Sequence, residues 1–156
     1  MNNKDNKNKS FEEFDDFVND LQTVIDNKVK EDFSTYALEF GKNPYKYGKL
    51  PSNKISVQKN WRGSCGDSIT YYLNIENDMI QDISYETDGC TTSSIAASQT
   101  AKMVDKKSIK EALQLTDKQV LNALGKFPKE NNHCATLSVT TLHLAINDFL
   151  KSNKKS

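Results

Sequence analysis

SITYYLNIENDMIQDISYE, residues 68–86, is the stretch that decides the fold. Ile69, Tyr71, Leu73 and Ile75 recur at every second position of its first half, the period of a strand with one buried face. MIQDISYE, residues 79–86, reads as a second strand, and Asn77 and Asp78 between them tolerate the backbone of a tight hairpin. Upstream, KISVQ supplies a third short strand around Ile55 and Val57. These runs predict a small three-stranded antiparallel sheet.

Outward from the sheet the apolar period changes to that of helices. Ser10 and Glu13 form a capping-box pattern, and Phe11, Phe14, Phe17, Val18, Leu21, Val24 and Ile25 follow at helical spacing, which predicts an N-terminal amphipathic helix over residues 10–30, expected to pack on the domain. Tyr36, Ala37 and Phe40 share a face of a short helix that Gly41 is placed to end, and NPYKYGKLP then breaks the pattern. After the strands, CTTSSIAASQTAKMV is suited to a closely packed helix. Ser108 with Glu111 and Thr116 with Gln119 open two more, the second ended by Gly125. CATLSVTTLHLAINDFL places Leu137, Thr141, Leu144, Ala145 and Phe149 on one stripe of a last long helix. Strands followed by helices predict an α+β fold with the helices gathered on one face of the sheet. The lysine-rich ends, residues 1–9 and 151–156, read as disordered.

A chain of 156 residues is sized for one domain. Lys plus Arg and Asp plus Glu balance at 21 each, so net charge gives no long-range attraction to nucleic acid or to an anionic membrane, and neither is expected as a partner. The opening MNNKDNKNK lacks the apolar run of a secretory signal, and no segment is long and apolar enough to span a bilayer. With three cysteines, an odd number, this predicts a cytoplasmic protein whose thiols act as ligands or nucleophiles rather than as disulfides.

Those cysteines sit at junctions. WRGSCGD, residues 61–67, gathers the single Trp, the single Arg, Cys65 and Asp67, and on an extended segment Cys65 and Asp67 would point the same way. Cys90 follows Asp88 and Gly89 where a helix starts, and Cys134 follows His133 where another starts. A helix N-terminus favours thiolate over thiol, and thiolates bind metal and attack sulfur. Three thiols on loops and helix starts could meet at one end of the sheet, with Asp67 and His133 as further donors. The spacing lacks a Cys-x-x-Cys pair and is compatible with small buried cysteines as well. His143, nine positions past Cys134, falls on the far side of the last helix and is expected at the surface. Cysteine-histidine hydrolysis is disfavoured, since adjacent residues at a helix start cannot easily aim the imidazole at the sulfur. Trp61 suits packing and Arg62 a solvated position, while Gly66 and Gly89 would let backbone approach a metal or an incoming sulfur.

Taken together, SCGD at 64–67, DGCTTSSIAAS at 88–98, NHCATLSVTTLHLAI at 132–146 and FGKNPYKYGKL at 40–50 resemble the IscU/NifU N-terminal-type iron-sulfur cluster assembly scaffolds, over a domain of residues 33–150. The resemblance implies a scaffold that assembles a labile [2Fe-2S] cluster from Fe(II) and sulfur supplied by a PLP-dependent cysteine desulfurase, and passes it to recipient apo iron-sulfur proteins. By motif match Cys65, Cys90 and Cys134 would be thiolate ligands and persulfide acceptors, with Asp67 and His133 as neighbouring donors. Members served by a dedicated chaperone carry Leu-Pro-Pro-Val-Lys before the last Cys; here KFPKENNHC stands, which leaves that contact unsupported. The N-terminal helix has no counterpart in the family pattern. The neighbouring SufU branch binds Zn(II) through an Asp and three Cys and acts as a sulfurtransferase; His133 leans toward the IscU type. A zinc-stapled interaction domain is the remaining alternative.

Overall fold

The computed structural model describes residues 3–154, with side chains from Ser10 onward. The sheet is as expected: β1 (Val57–Arg62), β2 (Ser68–Glu76) and β3 (Met79–Thr87) lie in the order β1-β2-β3, both pairs antiparallel. Asn77 and Asp78 adopt φ 54° and 60°, the left-handed pair whose twist matches that of a two-residue hairpin. The register sets Tyr71 opposite Tyr85 and Leu73 opposite Ile83, and a bulge at Asn74/Ile75 moves Ile75 opposite Ile80. The face of the β2–β3 hairpin that carries Ile69, Tyr71, Leu73, Ile75, Ile80, Ile83 and Tyr85 is therefore apolar and buried.

β1 begins later than KISVQ suggests. Residues Ser52–Lys54 close a 3₁₀ turn, Ile55 follows it, and the strand runs instead through Trp61 and Arg62. This shift matters for the site, because β1 delivers the chain straight into the Cys65 loop.

Helices cover the apolar face. α1 (Asn3–Asp32) and α2 (Thr35–Lys42) precede the sheet; α3 (Thr91–Val104), α4 (Ile109–Leu113), α5 (Asp117–Leu124) and α6 (Asn132–Lys154) follow it. α3 packs on β3 and α6 on β1 and β2, while α3 and α6 pack on each other. α3 is buried on most of its circumference, which its small residues Ser93, Ala96, Ala97, Ser98 and Ala101 permit. Two buried tyrosines from the sheet thread polar contacts into this layer: Tyr71 Oη lies 2.6 Å from Ser138 Oγ, and Tyr85 Oη 2.7 Å from Ser98 Oγ. Thr116 and Gln119 make the full capping box, and Ser108 caps α4 through the Glu111 amide. Gly41 stands inside α2 rather than after it. A Cβ there would lie 3.3 Å from Thr91 Cγ2, so the missing side chain serves the approach of α2 to α3.

Further expectations change. Ser10 does not start α1, which already runs from Asn3; the composition of residues 3–9 and 151–154 suggests disorder, yet these positions form the outer ends of α1 and α6, and 1–2 and 155–156 lie outside the described residues. The apolar stripe of α1 does not pack on the domain: Phe11 is 68% exposed and Phe14 63%, because α3 and α6 already fill the sheet face, and only the end of the helix, near Val29 and Phe33, reaches the core. His143 is half-buried rather than at the surface, its Nε2 3.1 Å from the Ala112 carbonyl oxygen, because α4 folds back over that side of α6.

Candidate functional site

The loop between β1 and β2 is a tight turn, not an extended segment. Gly63 donates its amide hydrogen to the Asp67 carbonyl at 2.9 Å and Gly66 to the Gly63 carbonyl at 3.1 Å. Gly66 has φ +93°, a conformation only glycine takes without strain. The Cys65 thiol faces a shallow cleft of about 210 Å³ shared with Trp61, His133 and Leu137, while the Asp67 carboxylate turns to the start of α3.

Asp88 ties the loop to that helix. Its carboxylate accepts the Ser68 amide hydrogen at 2.8 Å and an Arg62 guanidinium hydrogen at 2.9 Å, and Arg62 also donates to the Gly66 carbonyl. The Ser68 amide first, then the Arg62 guanidinium, hold the Asp88 carboxyl below the usual carboxylate range. Arg62 is solvated, as expected, and its guanidinium also bridges the Cys65 loop to Asp88.

Cys90 is the N-cap of α3 and is exposed. Its sulfur sits 2.7 Å from Thr92 Oγ1 and 3.9 Å from Asp67 Oδ2. Partial burial works against ionisation, but the Thr92 hydroxyl and the Ser93 and Thr92 amide hydrogens outweigh it, so the thiol pKa lies below its ordinary value. Cys134, in the first turn of α6, is fully buried. Burial pushes its thiol up against the opposing hydroxyls of Ser93 and Thr92, and the nearby Cys90 and Cys65 add to the rise.

Two α3 hydroxyls join these groups, and sequence reasoning missed them. Thr92 Oγ1 lies between the sulfurs, 2.7 Å from Cys90 and 3.6 Å from Cys134. Ser93 Oγ lies 2.9 Å from Asp67 Oδ2 and 3.5 Å from Cys134 Sγ, so its single hydrogen serves either the carboxylate or the thiol. The available signal was their place two and three residues after an N-cap Cys, where short hydroxyl side chains reach back over the helix end. Gly89 completes the arrangement: a Cβ there would lie 2.9 Å from Asp67 Cγ and 2.8 Å from Ser93 Oγ.

The structure thus gathers Asp67, Cys90 and Cys134 around Thr92 and Ser93, with Cys65 and His133 on the adjoining cleft. Among the described residues no three Cys, His, Asp or Glu side chains already converge as a ready metal cage. A larger cleft of about 470 Å³, between Met103 and Asn122, contains none of these groups. Two exposed thiols, a buried one beneath them, an oxygen donor and an imidazole can bind soft metal ions and accept sulfur.

A three-stranded antiparallel sheet covered on one face by helices, with thiols at the sheet end, defines a class that the comparisons identify. The profile of the NifU-like N terminal domain matches residues 32–156, and the chain belongs to that family. It is 35% identical over 121 residues to the iron-sulfur cluster assembly scaffold protein IscU of Aquifex aeolicus, covering 76% of each chain. It is 32% identical over 123 residues to the scaffold protein IscU 1 of Archaeoglobus fulgidus, covering 79% of this chain and 80% of that one. Among solved structures, the N-terminal NifU-like protein of Brucella abortus superposes with a TM-score of 0.59 at 17% identity over 76% of this chain and 94% of that one, a likeness of fold.

Proposed function

We propose that this protein is an iron-sulfur cluster assembly scaffold: ferrous iron and sulfur from a PLP-dependent cysteine desulfurase are its substrates, a [2Fe-2S] cluster on Cys65, Cys90 and Cys134 is its cargo, and apo iron-sulfur proteins receive that cargo. The observation that carries this reading is the joint placement of Asp67, Cys90 and Cys134 on the Thr92 and Ser93 hydroxyls, with Cys65 close enough for its charge to act on Cys134. The exposed, acidified Cys90 is suited to nucleophilic attack on sulfur, and Asp67 is a harder and weaker partner for cluster iron than a thiolate. A site with one weak ligand releases what it binds. His133, beside Cys65 in the cleft, is an additional nitrogen donor.

The test is anaerobic assembly with ferrous iron, cysteine, a cysteine desulfurase and dithiothreitol as reductant, read by visible absorption and by iron and acid-labile sulfide analysis. Retained iron and sulfide in equal amounts, lost in Cys90→Ser, is the expected result. Tightly bound zinc with faster desulfurase turnover and no retained cluster would replace this reading with zinc-dependent sulfur transfer.

A further inference from the structure

α1 leaves a long apolar face uncovered. From Phe11 to Ile25 seven large side chains, Phe14, Phe17 and Leu21 among them, are 44–68% exposed. At about 100° per residue they fill an arc of roughly 140°, and from Phe11 to Ile25 the stripe is about 21 Å long. Both edges of the arc are acidic: Asp15 and Asp26 follow one side, Glu13 and Asp20 the other. Residues 10–27 hold six carboxylates and no Lys or Arg. The family match begins at residue 32, so this surface is an addition to the shared domain.

The stripe leads to the site. At its foot, where the acidic run has ended, a groove of about 390 Å³ is lined by Asp26, Val29 and Lys30 of α1, Leu38, Gly41 and Lys42 of α2, and Thr91. Thr91 is the first residue of α3, directly after the Cys90 cap.

We propose that α1 is the docking helix for the sulfur donor, and that its apolar face lies in an apolar groove edged with Lys and Arg on the cysteine desulfurase; this rests on the scaffold reading above. A second copy of the chain would bring carboxylate edge against carboxylate edge in any helix-on-helix pairing, which like charges oppose. Anionic lipid headgroups repel the same edges. A basic-edged groove satisfies both the apolar arc and its borders. The donor is the partner that gains most from such a handle, because each [2Fe-2S] cluster needs two sulfur atoms and therefore two deliveries. A tether beside Cys90 raises the effective concentration of the donor at every delivery.

Isothermal titration of the full chain with the cell's own purified cysteine desulfurase tests this. Phe14→Ala, Phe17→Ala and Leu21→Ala are combined, because alanine keeps the helix while removing the face. The expected result is at least a tenfold rise in Kd for that variant, a wild-type affinity that falls with salt, and a similar loss in Asp15→Lys with Asp20→Lys. Cluster retention from ferric iron and inorganic sulfide, which needs no donor enzyme, stays at the wild-type level in all of them. Unchanged affinity in the triple variant overturns the proposal, as does a wild-type chain that does not bind the enzyme. It is equally overturned by a wild-type dimer in light scattering that the alanines split, or by alanine-sensitive binding to phosphatidylglycerol vesicles. Failure to retain a cluster from iron and sulfide in the wild type instead overturns the scaffold reading itself.

Discussion

Gly89→Ala places a methyl carbon 2.9 Å from Asp67 Cγ and Oδ2 and 2.8 Å from Ser93 Oγ, all inside ordinary contact distance. Gly89 is not among the positive-φ glycines, so alanine suits the backbone and the whole effect is steric. The obstructing atoms are ends of movable side chains. The carboxylate therefore swings away, and its 2.9 Å bond from Ser93 and its 3.9 Å approach to Cys90 are lost. Overpacking and loss of a hydrogen bond to a charged group each cost about 1–3 kcal/mol, and since the swing relieves the first at the expense of the second, about 1–3 kcal/mol in all is expected. For a chain of this size that is roughly 2–12 °C in Tm. Gly63→Ala is the control: its Cβ would lie 3.4 Å from Leu137 Cδ1 and 3.6 Å from Cys65 Sγ, near ordinary packing, so a much smaller change is expected. Differential scanning calorimetry gives the stabilities, and timed cluster transfer to an apo-ferredoxin gives the site effect. Equal Tm values for both variants, or a Gly89→Ala protein that transfers cluster at the wild-type rate, would refute the steric account of this glycine.

Asp67→Ala removes the weak oxygen donor directly and is expected to slow cluster transfer to an apo-ferredoxin several-fold; an unchanged or faster rate counts against a releasing role for the carboxylate. Iodoacetamide labelling followed by mass spectrometry should show Cys90 titrating below an ordinary thiol and Cys134 above it, with Thr92→Val moving Cys90 upward because a donor to its thiolate is lost; coincident profiles would contradict the geometry. The Asp88 carboxyl pKa is depressed in the fold, so its support of the loop is present above its unfolded pKa and disappears as pH falls through the lowered folded value; Arg62→Ala should loosen the Cys65 loop in hydrogen exchange near neutral pH, with the difference from wild type shrinking as the carboxyl protonates in acid, and a pH-independent difference would be inconsistent with the clamp. Tyr71→Phe deletes the buried hydroxyl 2.6 Å from Ser138 and is expected to cost about 1–3 kcal/mol in urea unfolding, while a neutral result would mean that Ser138 finds full compensation elsewhere.

The sequence alone determined what local rules can determine. Alternation at Ile69, Tyr71, Leu73 and Ile75 with Asn77-Asp78 specifies the hairpin, because side-chain period and turn conformation are properties of neighbouring residues. The capping pairs fixed the starts of α4 and α5 for the same reason, and the placement of Cys65, Cys90 and Cys134 at junctions, together with the motif resemblance, pointed to the family. The tertiary structure decided everything that depends on groups distant in the chain. Only the approach of α3 to α6 brings the Cys134 sulfur to the Thr92 and Ser93 hydroxyls, and only that same packing leaves the face of α1 without cover. Hydrogen bonding across 20–40 residues of separation and competition for one sheet face are not encoded in any local period, so they become legible only when the chain has folded.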